Sequence, residues 1–143
     1  MPNIRTSKIF VVDDDVFSLH IYGQYLNNLG CEDVMLFQSG EDCLSRIIEQ
    51  PDIILVDYRM PPMDGLELLQ KIKVANPDIY VVFILAFDDI ETAVRSLKEG
   101  AFDYIIKGEF EAQHLKKVLD KIFHVKKMLL NNNAWNNNML HSS

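Results

Sequence analysis

Three consecutive aspartates, Asp13, Asp14 and Asp15, stand where the apolar run Ile9 to Val12 of "IFVVDDDVFS" reaches water. Asp57 closes a second apolar run in "IILVDYRMPPMDG", and Lys107 closes a third in "YIIKGEF". Two carboxylates about 4 Å apart repel by roughly 4 kcal/mol at an effective dielectric near 20, so acids gathered from separate segments need a compensating cation. Oxygen-only ligands suit a hard divalent ion, Mg²⁺ or Mn²⁺, which commonly takes one or two carboxylates together with phosphate oxygens. Lys107 adds a compact positive charge, a point donor fit for a phosphoryl oxygen. Asp13, Asp14, Asp57 and Lys107 are therefore candidates for metal-assisted phosphoryl chemistry, provided that the fold brings them together.

Periodicity says how that happens. Short apolar runs, Lys8 to Val12, Asp33 to Phe37, Ile53 to Val56, Ile79 to Ala86 and Phe102 to Ile106, alternate with segments of helical spacing. Leu19, Tyr22, Leu26 and Leu29 form one face of a first helix that Gly30 can end. Ser39 is a plausible N-cap with Asp42 three residues on, followed by Leu44, Ile47 and Ile48 as a buried face and Pro51 as a stop. Asp64 and Glu67 open a third helix with Leu68, Leu69 and Ile72, ahead of Pro77. Asp88 and Glu91 open a fourth through Val94 and Leu97, ended by Gly100, and the fifth carries Leu115, Val118, Leu119 and Ile122.

Strands that alternate with helices and are apolar throughout predict an α/β protein, a parallel sheet covered on both faces. Ligands of such open sheets sit outside the carboxyl ends of the strands, where the strand order switches. Asp13, Asp14, Asp57 and Lys107 all fall at those ends. Asp15, Asp64, Asp88 and Asp89 are read as helix caps, favoured by the dipole of the helix that follows.

The segments "VVDDD", "VDYRMPPMDG" and "YIIKG" together resemble the acidic pair, phosphoacceptor loop and lysine of response-regulator receiver domains, the aspartyl-phosphate modules of two-component signalling. The resemblance is colinear over residues 6–125 and leaves 126–143 as a helix extension and Asn-rich tail or linker. It implies a flavodoxin-like (βα)5 doubly wound sheet with strand order 2-1-3-4-5. It also implies that Asp57 is the phosphoacceptor, that Asp13, Asp14, Asp57 and the backbone carbonyl of Arg59 hold Mg²⁺ or Mn²⁺, and that Lys107 contacts the phosphoryl group. Tyr104 matches the aromatic that changes rotamer with the signal; on its residue type alone it is equally a half-buried strand aromatic. The expected partner is a sensor histidine kinase or phosphotransfer protein.

Two positions depart from the family pattern. Leu85 occupies the place of the Ser or Thr whose hydroxyl grips the phosphoryl group, which removes a hydrogen bond to a charged acceptor worth roughly 1.5–3 kcal/mol. Phosphorylation is expected to survive, with its coupling to the helix-four surface and Tyr104 weakened or rerouted. Gly108 replaces the proline after the lysine, where a non-proline cis bond would cost about 2.5–4 kcal/mol, so a trans Lys107–Gly108 bond is expected. Arg59 and Phe87, bulky at the two positions that govern water access, point to slow dephosphorylation.

Composition narrows the classes further. The 143 residues carry 21 acids against 14 Lys plus Arg, a formal net charge of −7, which disfavours nonspecific attraction to nucleic acid or anionic lipid. No direct nucleic-acid binding by these residues and no membrane association is expected. Cys31 and Cys43 lack metal-ligand spacing and read as reduced thiols of a cytoplasmic protein. His20, His114, His124 and His141 likewise show no metal spacing. After the fifth helix, two asparagine triplets around Ala134 and Trp135 look like a linker or frayed tail. Yet Leu115, Val118, Ile122, Val125 and Leu129 make a short seam that could form a homodimer. A phosphorylation-silent binding module stays open because of Leu85. So does a haloacid-dehalogenase-like phosphatase, with Asp13 as nucleophile of an Asp-x-Asp. A flavin-nucleotide binder lacks a phosphate-binding loop after the first strand.

Overall fold

The computed structural model describes residues 3–141. Five strands, β1 (Lys8–Val12), β2 (Asp33–Phe37), β3 (Ile53–Asp57), β4 (Tyr80–Leu85) and β5 (Asp103–Ile106), alternate with α1 (Val16–Asn28), α2 (Gly40–Ser45), α3 (Gly65–Ala75), α4 (Ile90–Lys98) and α5 (Glu111–His141). The strands pair in parallel in the order 2-1-3-4-5. This is the doubly wound flavodoxin-like sheet that the resemblance implies, and the order reverses between β1 and β3.

Strict alternation of side chains along each strand splits the interior in two. Phe10, Val12, Ile54, Val56, Phe83 and Leu85 face Cys43, Leu68, Leu69, Ile72 and Ala93 on the side of α2, α3 and α4. Ile9, Val11, Leu55, Val82, Ile84 and Ile105 face Leu19, Tyr22, Leu26, Leu115, Val118 and Ile122 on the side of α1 and α5. Full burial of each such side chain is worth about 1.5–3 kcal/mol, so both layers are needed to hold the central strands. Tyr22 Oη donates to Glu111 Oε1 at 2.6 Å and ties α1 to the start of α5.

Caps set the helix entries. Asp15, Ser39 and Asp64 side chains accept from the backbone N–H of Phe17, Asp42 and Glu67. Asp89 takes the N-cap position of α4 but makes no capping bond, and the cap reading fails there. The second helix is shorter than its pattern suggests: it ends at Ser45 and tightens into a 3₁₀ turn, Ile47–Glu49. That change of pitch rotates Ile48 out of the predicted buried face, leaving it 84% exposed. In α4 the buried positions are the small Ala93 and Ser96, while Ile90, Val94 and Leu97 face solvent.

The Asn-rich stretch read as a frayed tail or linker is helical in the structure, α5 running without a break to His141. Lys126 anchors its middle, with Nζ 3.0 Å from Asp52 Oδ1 and 5.6 Å from the centre of the Tyr80 ring. No helix of the described residues is long and apolar enough to cross a membrane.

Candidate phosphoacceptor site

Asp13, Asp57 and Lys107 are set by ladder bonds at or just beyond the strand ends. Asp13 N donates to Phe37 O at 3.0 Å, prolonging the β1–β2 pairing by one residue, and Tyr58 N donates to Ile84 O at 3.1 Å directly after Asp57. Lys107 N donates to Leu85 O at 2.8 Å and prolongs β5 in the same way. The loop after Asp57 is closed by Gly65 N donating to Tyr58 O at 3.0 Å. At Gly65 a Cβ would stand 2.6 Å from Phe83 Cε1, so the glycine of "MDG" is demanded by close approach.

Asp13, Asp14 and Asp57 converge as predicted. One carboxylate oxygen from each lies within 4.8 Å of the others, with Asp13 and Asp57 buried and Asp14 exposed. Lys107 Nζ stands 3.0 Å from Asp57 Oδ1. Asp13 Oδ1 accepts from Asp15 N at 3.0 Å, yet burial, reinforced by the neighbouring Asp57 charge, pushes the Asp13 carboxyl up to about 6. Three carboxylates facing one lysine leave excess negative charge in a partly dry pocket, and an all-oxygen donor set of that sign could hold a divalent cation. Asp15 is outside this group: its two oxygens accept from Phe17 N and Ser18 Oγ. In the Asp-x-Asp of the phosphatase reading, Asp13 thus belongs to the carboxylate cluster and Asp15 caps α1.

The other predicted residues are more scattered. Leu85 is buried in the apolar layer under α3 and α4, and its side chain has no donor. Tyr104 is half-buried, its ring edge-on to His114 with centroids 6.2 Å apart. The Lys107–Gly108 bond is trans; among the described residues the cis peptide is Pro61–Pro62. Gly108 adopts φ +150, a course that proline's fixed φ excludes. Arg59 pairs its exposed guanidinium with the N-cap residue of α4, Nη2 donating to Asp89 Oδ1 at 2.7 Å. Sequence reading missed this pair, because two residues thirty positions apart carry no local signal.

A groove of about 720 Å³ lies at the opposite end of the sheet, lined among others by Lys73, Tyr80, Phe102, Lys126 and Leu130. Lys73 Nζ is committed to the carbonyls of Pro77 and Ile79, and Lys126 to Asp52. Among the described residues of the groove, no unpartnered cation remains for an anionic ligand.

The response regulator receiver domain pattern matches residues 9–120, and the chain belongs to that family. The transcriptional regulatory protein ZraR of Salmonella typhimurium is 42% identical over 114 residues, covering 79% of this chain and 25% of ZraR. The luminescence regulatory protein LuxO of Vibrio campbellii is 34% identical over 98 residues, 68% of this chain and 21% of LuxO. A crystal structure of a response regulator receiver domain protein from Clostridium thermocellum matches with a TM-score of 0.79 at 29% identity, covering 86% of this chain and 98% of that one. The chain spans about a quarter or less of the length of these curated relatives. It is a receiver domain of two-component response regulators, a signalling switch and not a metabolic enzyme.

Proposed function

We propose that the chain accepts a phosphoryl group on Asp57 from a phosphohistidine of a sensor histidine kinase or phosphotransfer protein in the cytoplasm. The observation that carries this reading is the convergence of the Asp13, Asp14 and Asp57 carboxylates within 4.8 Å, with Lys107 at 3.0 Å from Asp57. Asp13, Asp14, Asp57 and the Arg59 carbonyl would hold Mg²⁺ or Mn²⁺, which when bound supplies positive charge for the phosphoryl oxygens and lessens the repulsion among the acids. An Asp57 carboxylate oxygen attacks phosphorus in line; the P–O bond forms as the P–N bond to the donor imidazole breaks, and the imidazole leaves with the electron pair. Lys107, already paired with Asp57, follows the charge onto the equatorial oxygens. Hydrolysis of the acyl phosphate would reset the switch, and the bulky side chains of Arg59 and the exposed Phe87 support a slow reset.

The protein should be incubated with Mg²⁺ and acetyl phosphate and its intact mass measured, with Asp57→Asn in parallel. A phosphoryl mass gain in the wild type alone supports the reading; none in either, or an equal gain in both, defeats it. A silent docking module is the second reading, favoured by Leu85, whose buried side chain offers no donor at the site. The seam expected along Leu115, Val118, Ile122, Val125 and Leu129 is not available as a whole, because Leu115, Val118 and Ile122 are buried against the sheet. We propose instead a homodimer through the extension of α5, supported by the exposure of Met128, Leu129, Leu130 and Trp135. Regulation of transcription, named for ZraR, would require further segments such as that relative carries beyond the matched quarter.

A further inference from the structure

Phosphorylation of Asp57, the premise of the route from this site to α4, places a dianion beside a strand end that cannot answer it, since Leu85 has no donor. Arg59, two residues after Asp57 in the same loop, is an exposed guanidinium with five N–H donors, of which the bond to Asp89 uses one. Asp89 is the more constrained partner. Its side chain is 9% exposed, and its Oδ2 is buried with no hydrogen-bond partner among the described residues. It stands at the N-cap of α4 and accepts none of that helix's free N–H groups. A buried carboxylate satisfied on one oxygen only, by a solvent-facing arginine, is held by a contact that a stronger anion can take away.

We infer that Arg59 is the residue through which a phosphoryl group on Asp57 reaches α4. The guanidinium leaves Asp89 for the phosphoryl oxygens, a dianion that it can bind through two parallel N–H donors. Asp89, left buried without a countercharge, turns to the N–H groups of the first turn of α4 and becomes the cap that the resting structure lacks. The first turn tightens, and the exposed row Ile90, Val94 and Leu97 shifts with it. Arg59 thus takes over the part that a hydroxyl at position 85 would play.

Hydrogen exchange of the α4 amides, read together with intact mass after treatment with Mg²⁺ and acetyl phosphate, tests this route. In the wild type, exchange at residues 90–92 should slow roughly fivefold in the phosphorylated fraction, the protection expected of one new cap. In Arg59→Gln, Asp89 is free from the start; exchange there should already be slow and should not respond to phosphorylation. The charge swap Arg59→Asp with Asp89→Arg restores the pair but puts an anion beside Asp57, so resting exchange should be fast and unresponsive. A purely structural ion pair would leave the swap responsive, and that result, or a wild-type response in Arg59→Gln, overturns the inference. A mass gain with unchanged α4 exchange in the wild type overturns this route alone, whereas no mass gain overturns the phosphoacceptor reading with it.

Discussion

Lys107 Nζ and Asp57 Oδ1 stand 3.0 Å apart, joining the ends of β5 and β3 across the end of β4. The contact is possible because Leu85 O accepts from Lys107 N at 2.8 Å and so fixes the lysine backbone to the strand between them. In resting protein the lysine offsets part of the acidic cluster; in the transfer proposed above the same charge would meet the phosphoryl oxygens. Lys107→Gln keeps a polar side chain of similar length and removes the charge. Phosphorylation by acetyl phosphate at saturating Mg²⁺ should slow about 100-fold or more, measured as the rate of mass gain. A rate close to that of the wild type would mean that the ion pair has no part in transfer.

Asp13 gives the site a pH dependence with a definite sign. Its carboxyl, ordinarily near 3.8, is pushed up to about 6, by burial first and by the Asp57 charge as well. The folded protein therefore holds this proton more tightly than the unfolded chain does. Between those values the metal-free fold gains by keeping Asp13 protonated, so its stability should fall as pH rises from about 4 to about 6 and change little from this source above that. A divalent cation needs the ionised form, so its apparent affinity should weaken about tenfold per pH unit below 6. Urea melts with and without Mg²⁺ should show a large stabilisation at about pH 7.5 and a small one at about pH 5. Equal stabilisation at both would show that Asp13 does not bind the ion.

Much of this was legible in the chain. Asp13, Asp14, Asp57 and Lys107 follow apolar runs, and a parallel sheet must bring the carboxyl ends of its strands to one edge. The misses arise where local pattern competes with packing. Ile48 fits the period of a helix that stops three residues earlier; in α4 the helix itself was legible, but not that the small Ala93 and Ser96 are its buried positions while Val94 and Leu97 face solvent. The Arg59–Asp89 pair depends on two loops meeting, which no spacing encodes. The asparagine triplets argue for a tail by composition, yet they lie within the continuous helix α5, whose support past Lys126 is not a local property of the sequence.

Gly65 shows how tightly the loop after Asp57 is packed. A methyl group there would lie 2.6 Å from Phe83 Cε1 and 3.1 Å from Tyr58 Cα. One of these neighbours is backbone, so relief requires the loop itself to move. Gly65→Ala should destabilise the fold by about 1–3 kcal/mol, a lowering of the melting temperature of roughly 3–10 °C. Phosphorylation should slow as well, because Tyr58 follows Asp57 directly. A melting temperature unchanged by the substitution would show that the close approach is not fixed.

Leu85→Thr exchanges packing for a donor. The leucine is buried in the apolar layer with Phe83 and Ala93, so the resting protein should lose about 1–3 kcal/mol. On the reading carried by the family resemblance, the new hydroxyl donates to a phosphoryl-like oxygen, a bond worth roughly 1.5–3 kcal/mol to a charged acceptor. Beryllofluoride with Mg²⁺ should therefore raise the melting temperature of the variant more than that of the wild type. An equal or smaller rise would place the position-85 side chain outside the phosphoryl site.

The last stretch of α5 has too little support from the rest of the chain to be helical on its own account. Leu115, Val118, Leu119 and Ile122 are buried against the sheet, whereas Met128, Leu129, Leu130 and Trp135 are all at least half exposed. Asparagine is a poor helix former, costing several tenths of a kcal/mol per residue relative to alanine, and six of them fall at 131–133 and 136–138. An isolated segment of this length and composition would be marginal in water. A second copy that covers the exposed apolar positions supplies the missing support, and antiparallel or parallel pairing would each do so. Sedimentation equilibrium should give a dimer for the full chain and a monomer for a chain ending at Lys126, which retains the Lys126–Asp52 anchor. Far-ultraviolet circular dichroism of the full chain should lose helicity on dilution through the dissociation range. A monomer at every concentration, with undiminished helicity, would show that α5 holds its extension without a second copy.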